Sequence, residues 1–235
     1  MKLLRQRFSR TGRRVTGAVV NTIFPPRCAG CGHRGSWVCS LCAPDIQRID
    51  EVSCQRCAVP LGERCVCFEL DGSLEMLRAA AAYQGWVRAA IISFKYEGER
   101  ARSGHLGALA TELLPAFGDN VSLVPVPLHP RRVRERGYNQ AALLAEAIGR
   151  ACGVRVERPI LRAVATRRQV GLSANERAQN VIDAFLISPG SRLRDRRFVL
   201  VDDVVTTGAT LGACARTLRS AGAAWVGALT IARER

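Results

Sequence analysis

From about residue 75 onward, solid apolar runs alternate with stretches of helical periodicity. The runs at Leu77–Tyr83, Val121–Val126, Val154–Val156, Phe198–Val201 and Trp225–Ile231 lack the polar alternation of a half-exposed strand. Such runs predict strands buried on both faces, as parallel strands are. Apolar positions recur at helical spacing between them, over Val87–Tyr96, Leu106–Phe117, Asn139–Cys152 and Ala209–Ala221. The alternation predicts an α/β fold over residues 75–235, a doubly wound parallel sheet with flanking helices.

The first 24 residues read differently. Leu3, Leu4, Phe8, Val15, Val19 and Ile23 fit one helical face among six basic and no acidic residues, and Pro25-Pro26 stops the pattern. Residues 1–24 are therefore expected to form a basic amphipathic helix. A secretory signal fits less well: Thr16, Asn21 and Thr22 break the apolar part, and Pro25-Pro26-Arg27 follows where small residues should allow cleavage. The best candidate for a membrane span, Ala79–Ile92, is interrupted by Arg88 and is shorter than the roughly 20 residues a span needs. The expected location is the cytoplasm, with a place on the inner membrane surface as the second option for a chain with such a helix.

Residues 25–70 hold few large apolar side chains but eight of the ten cysteines, in four close pairs: Cys28/Cys31, Cys39/Cys42, Cys54/Cys57 and Cys65/Cys67. The second four repeat the first at an offset of 26 residues, or 25 for the last, as an internal duplication would leave them. Two thiolates two residues apart on a tight turn reach one tetrahedral zinc at about 2.3 Å, and a second pair closes the site. Two structural Zn²⁺ sites are expected; pairing in sequence order is simplest, and interleaving Cys28/Cys31 with Cys54/Cys57 stays open. A disulfide framework would need an oxidising compartment. Gly30 to Gly35 spell G-x-G-x-x-G, but no strand precedes and no helix follows, so a dinucleotide site is not expected. Cys152 and Cys214, isolated in helical stretches, are expected to be buried small hydrophobes.

At 48% hydrophobic and 23% charged, the chain can bury a full core. Its net charge of +15 is uneven: +6 over residues 1–24, −1 over 25–120 and +10 over 121–235. Two zinc-bound four-thiolate sites would lower the total to about +11. A surface of this sign attracts phosphate groups, although frequent Arg is also a compositional habit here: 33 of the 35 basic residues are Arg. Against that background the two lysines, Lys2 and Lys95, stand out.

The richest segment runs Phe198-Val-Leu-Val-Asp202-Asp203-Val-Val-Thr206-Thr207-Gly208-Ala209-Thr210. A strand ends in two carboxylates, and a hydroxyl- and glycine-bearing loop then opens a helix. Backbone N–H groups and Thr hydroxyls at a helix N-terminus form a ready phosphate site. Ligands of open α/β sheets bind at the carboxyl ends of strands. Asp202 and Asp203 are placed to accept hydrogen bonds from the vicinal hydroxyls of a ribose. No Walker lysine follows, which argues against ATP hydrolysis of the P-loop kind.

This segment resembles the phosphoribosyl pyrophosphate (PRPP) motif of type I phosphoribosyltransferases. Val124-Pro-Val-Pro-Leu-His-Pro-Arg-Arg-Val-Arg-Glu-Arg-Gly-Tyr-Asn-Gln140 and Gln169-Val-Gly-Leu-Ser-Ala-Asn-Glu-Arg-Ala-Gln-Asn-Val-Ile-Asp-Ala-Phe185 resemble the ComF family in particular. The paired cysteines resemble that family's double zinc ribbon. The resemblance implies a type I phosphoribosyltransferase-like domain behind a ribbon, linked to uptake or use of imported DNA. It implies ribose contacts from Asp202 and Asp203, and a PRPP loop comprising Val204, Val205, Thr206, Thr207, Gly208, Ala209 and Thr210. It further implies a pyrophosphate loop of Val126, Pro127, Leu128 and His129, with charge from Arg131 and Arg136, or equally Arg132 and Arg134. A mobile loop over 166–181 would bring Gln169, Leu172, Arg177 and Asn180 over the site. Lys95 matches a family lysine in a contact Arg does not replace, and Mg²⁺ would arrive with PRPP.

Relatives with an N-terminal glutaminase begin on a catalytic cysteine; Met1-Lys2 and the zinc-like pairing of the early cysteines make glutamine-dependent transfer unexpected. Two function classes follow. One is an enzyme that moves phosphoribosyl to a nitrogen acceptor. The other is a PRPP-responsive protein holding single-stranded DNA, in contact with DNA-uptake proteins; Trp37, Phe68, Trp86 and Tyr138 would be its stacking candidates.

Overall fold

The computed structural model describes residues 25–49, 53, 54, 56–60, 62, 65, 67, 72–162 and 184–234. The helix expected over 1–24, the loop residues Gln169, Leu172, Arg177 and Asn180, and Phe68 lie outside them.

The core is a four-stranded parallel sheet ordered β1 (Met76–Ala82), β6 (Trp225–Arg233), β5 (Arg197–Val205) and β2 (Val121–Pro125). Successive residues of β5 serve opposite faces, as the solid apolar run requires. Val199 and Val201 join Ile91, Phe94, Leu106, Leu144 and Ile148 on one side. Phe198 and Leu200 join Leu211, Cys214 and Leu218 on the other. The first layer comes from α1 (Gly85–Tyr96), α2 (Arg102–Thr111) and α4 (Gln140–Cys152); the second comes from α5 (Ala209–Ser220). The short helix α3 (Pro130–Arg136) buries no residue. Beside α5 lies an antiparallel hairpin, β3 (Ile160–Arg162) with β4 (Phe185–Ile187).

Several expectations need correction. Val154–Val156 is not a full strand: Val156 makes one parallel bridge to Leu123, because β2 already ends the sheet there. The helix expected over Leu106–Phe117 divides into α2 and a 3₁₀ turn at Leu114–Phe117, with Pro115 in the first positions of the turn. Residues 130–136, given no element by the sequence pattern, form α3, opened by Pro130 and by His129 Nδ1 accepting from the Arg131 N–H at 3.2 Å. Cys214 is buried as expected, whereas Cys152 is exposed at the end of α4.

The cysteine module is hydrogen-bonded to the free edge of β1. Ala82 N–H donates to Gln47 O at 2.9 Å, Ile49 N–H to Ala80 O at 3.2 Å, and Leu77 N–H to Arg56 O at 3.0 Å. The module thus caps an edge that would otherwise be open to pairing. Its duplication is visible in the backbone. Gly32 N–H donates to Cys28 O, and 26 residues on Ala58 N–H donates to Cys54 O, at 2.8 and 2.9 Å. Both turn residues sit at positive φ, 75° and 57°, so the second copy tolerates in Ala58 a conformation that suits glycine.

Candidate functional site

The two sets of four cysteines gather in sequence order: Cys28, Cys31, Cys39 and Cys42 in one cluster, Cys54, Cys57, Cys65 and Cys67 in the other. Within each, all sulfurs lie within 4.8 Å of one another. Observed separations of 3.6 Å for Cys31–Cys39 and 3.3 Å for Cys54–Cys67 are close to the roughly 3.8 Å edge of a tetrahedral zinc–thiolate site. Burial opposes the thiolates of Cys28 and Cys54, yet neighbouring backbone N–H donors bring both down to about 6. The donor set and its spacing fit Zn²⁺, and the interleaved pairing is not what the chain adopts.

The carboxyl ends of β5 and β2 frame the second site. The expectation that the strand ends in the two carboxylates is corrected: β5 continues to Val205, because Asp202, Val204 and Val205 still pair with Thr230, Ala232 and Arg233 of β6. Asp202 and Asp203 therefore sit within the strand and face opposite sides of it. Asp203, 6% exposed, is gripped by Lys95 from the end of α1, with Nζ 2.6 Å from Oδ1. Lys95 is thus not a solvated helix end. Asp202 Oδ1 accepts from the Asp203 N–H at 2.9 Å. Burial, followed by repulsion from Asp203, pushes the Asp202 carboxyl up to about 7, against the opposing pull of that hydrogen bond, Lys95 and Arg162.

Because the folded carboxyl keeps its proton up to about 7 while an unfolded one loses it near 3.8, the ligand-free fold loses stability as pH rises through that window. Asp202→Asn is expected to raise the melting temperature of ligand-free protein at pH 8, with a gap that narrows by pH 5. A lower melting temperature than wild type at pH 8 would contradict this.

Two hollows meet at Asp202 and Thr210. One, of about 70 Å³, is walled by Asp202 and by Val204 to Leu211. Gly208 caps α5 there at φ 81°, a turn open to glycine at no steric cost, and the Thr207 hydroxyl accepts from the Ala209 N–H at 3.3 Å. Thr206, Thr207 and Thr210 remain exposed around it. The other hollow, of about 190 Å³, is lined by Val126, Pro127 and Leu128 together with Lys95, Arg132, Arg136, Asn139, Gln140, Arg162 and both aspartates. Val126 spends its N–H on Val201 O and its carbonyl on Asn139 Nδ2, each at 3.0 Å, which ties the 126–129 loop to both β5 and the head of α4.

The structure separates the four arginines that sequence left equal. Arg132 and Arg136 line both this hollow and an outer groove of about 610 Å³; Arg131 and His129 line only the groove, and Arg131 is paired with Glu135 at 2.9 Å. Arg134 lines neither of these hollows. Arg162, Asn139 and Gln140 were not singled out by sequence. Nothing marked Arg162 among so many arginines, and its place follows from the hairpin. Of the stacking candidates, Trp86 and Tyr138 are buried, and Trp37 lies beneath Arg102, whose Cζ is 4.8 Å from the ring. Among the described residues the exposed aromatic is instead Tyr96, 71% exposed, with Arg136 Cζ 5.1 Å over its ring.

A parallel sheet with these helices, behind twin four-cysteine clusters, defines the class: a type I phosphoribosyltransferase fold preceded by a double zinc ribbon. Comparison agrees on both halves, with a double zinc ribbon domain matched at residues 19–70 and a phosphoribosyl transferase domain at 134–235. The chain is 31% identical over 206 residues to the DNA utilization protein YhgH of Escherichia coli O6:H1, covering 83% of this chain and 88% of that one. It is 27% identical over 212 residues to competence protein ComFC of Bacillus subtilis, covering 84% of each. Its 40% identity to competence protein F of Haemophilus influenzae extends over 103 residues, 43% of this chain and under half (45%) of that protein. Among solved structures, a glutamine PRPP amidotransferase from B. subtilis overlaps 56% of this chain and 26% of its own, at 22% identity and a TM-score of 0.38. The chain belongs to the ComF family. No described helix is long and apolar enough to cross a membrane.

Proposed function

We propose that the chain binds PRPP across the two hollows and transfers its phosphoribosyl group to a nitrogen acceptor in the handling of imported DNA. The observation that carries this reading is the carboxylate pair lying between two anion seats, the threonine loop at the head of α5 and the Arg132/Arg136 end of the larger hollow. PRPP has the matching order: a 5′-phosphate, vicinal ribose hydroxyls and a 1-diphosphate. The name of the Escherichia relative, a DNA utilization protein, supports the link to DNA, and the names of the Haemophilus and Bacillus relatives support a link to competence.

In this reading the C1–O bond to pyrophosphate breaks, an acceptor nitrogen forms the new bond to C1, and the acceptor's proton leaves. Thr206 to Thr210 would hold the 5′-phosphate, and Asp202 with Asp203 the hydroxyls and the positive charge that develops at the ribose. Lys95, 2.6 Å from Asp203 Oδ1, holds that carboxylate in place. The residues fit Mg²⁺ delivered with PRPP, because carboxylates and diphosphate oxygens are its preferred donors; when bound it would neutralise the leaving diphosphate. The loop over 166–181 would exclude water from the loaded site.

Incubating the zinc-loaded protein with PRPP, Mg²⁺ and single nucleobases or amines, while following free pyrophosphate, tests the transfer. Release that depends on one acceptor is expected. PRPP binding without release, across the panel, would overturn turnover and favour the second reading, a PRPP-responsive binder of single-stranded DNA in contact with uptake proteins. That reading draws support from the 610 Å³ groove, lined by Arg131, Arg132 and Arg136, where Arg136 lies over the ring of the exposed Tyr96. It expects DNA affinity that falls steeply with salt, and a shallower slope for Arg132→Ala/Arg136→Ala.

A further inference from the structure

Gln140 is 2% exposed, yet its Nε2 has no hydrogen-bond partner. A buried amide donor left unpaired is costly and rare in native proteins. Gln140 is the first residue of α4 and lines the larger hollow. The neighbouring Asn139 is fully engaged: its Oδ1 accepts from the Ala141 N–H and its Nδ2 donates to Val126 O, both at 3.0 Å. The head of this 13-residue helix carries no acidic side chain in its first turn to answer the dipole. Arg132 and Arg136 line the same hollow.

The unpaired amide, a helix head capped by Asn139 but with no acidic residue in its first turn, and the two guanidinium groups thus converge on one end of the cleft, and all of them suit an anionic oxygen. The threonine loop heads α5 at the other end, and the two hollows share Asp202 and Thr210. The cleft is therefore built between two helix N-termini with the carboxylates between them.

We propose that the head of α4, through the Gln140 amide, is an anion subsite that takes the diphosphate end of the ligand. This rests on the PRPP reading above. Gln140 contributes a neutral donor where Arg132 and Arg136 supply charge, so it favours an oxygen at one fixed point rather than any nearby anion. It also separates ligands by what they carry at C1. A pentose with a diphosphate reaches Gln140, and a pentose phosphate bearing only a hydroxyl there does not.

Titration calorimetry of the zinc-loaded full chain in Mg²⁺, with pyrophosphate, ribose 5-phosphate and PRPP as separate probes, tests this. Gln140→Met, close in volume, is expected to weaken pyrophosphate and PRPP about tenfold and to leave ribose 5-phosphate within about twofold. Gln140→Glu, close in shape but anionic, should weaken pyrophosphate further, about a hundredfold, again sparing ribose 5-phosphate. Equal loss for all three probes, in variants that melt as wild type does, would show a lining residue and overturn the proposal. Unchanged affinities in both variants would overturn it while leaving the PRPP reading intact. Wild-type protein that binds none of the probes would overturn the PRPP reading, and the subsite with it. If the Met variant fails to fold, the Glu variant alone decides, because its charge must discriminate between the probes.

Discussion

PRPP with Mg²⁺ is expected to raise the melting temperature of the zinc-loaded protein by about 5–10 °C at a hundredfold excess over its dissociation constant, and to leave Asp202→Asn/Asp203→Asn unmoved. The magnitude follows from linkage: at that excess a ligand that binds only the folded chain adds about 2.7 kcal/mol, and each kcal/mol moves a domain of this size by about 2–4 °C. The variant loses the shift because the two carboxylates hold the middle of the ligand and counter the cations at its diphosphate end. Without Asp203, Lys95 also loses the partner 2.6 Å from its Nζ that fixes it against β5. Differential scanning calorimetry with and without ligand reads both effects. A shift of equal size in the double variant would remove Asp202 and Asp203 from the site and leave the threonine loop as a bare phosphate trap. No shift in either protein would make the motif a relic of the fold, and single-stranded DNA the first ligand to try.

Much of this architecture was legible because its signals are strong and local. Solid apolar runs named four strands of the sheet, and the 26-residue offset of the cysteines named the ribbons. Asp202-Asp203 followed by a threonine and glycine turn drew the eye to the head of α5. The rest depended on tertiary placement. Lys95 stood out by being rare, but nothing local pairs it with Asp203, 108 residues away in sequence. Arg132 and Arg131 are adjacent and chemically identical; only the winding of α3 puts one into the hollow and leaves the other with Glu135. Trp86 looked like a stacking surface because tryptophan can be one, whereas its indole N–H is spent on Trp37 O at 3.0 Å. The conspicuous residue was the right one in Lys95 and the wrong one in Trp86, and in both cases the neighbours supplied by the fold decide it.

Removing zinc is expected to unfold the whole described protein in one step rather than the ribbons alone. A module of so few apolar residues would be a self-contained finger if it stood apart, with its folding free energy coming from the metal, about 10–16 kcal/mol in finger peptides. It does not stand apart. Cys28 and Cys39 belong to the cluster under α1, and Cys57, Ala58 and Val59 to the cluster under α5. Two buried guanidinium groups of the α/β half depend on ribbon carbonyls: Arg102 Nη2 donates to Arg27 O at 3.1 Å, and Arg233 Nη1 to Cys57 O at 2.9 Å. Losing the ribbon would leave these cations short of acceptors, bare the β1 edge and open both apolar clusters at once. Water would take the place of the lost carbonyls, so the larger loss is the apolar surface bared, at roughly 25 cal/mol per Å², which soon becomes a large share of the stability of an ordinary domain. Chelation under reducing conditions, followed by far-ultraviolet dichroism and Trp fluorescence, should therefore show coincident transitions and a melting temperature lower by more than about 10 °C. Cys57→Ser, at the ligand that shares a residue with the Arg233 contact, should reproduce most of the loss. A preserved sheet signal beside a molten ribbon would mean that the contacts across β1 add little, and that the two halves fold independently.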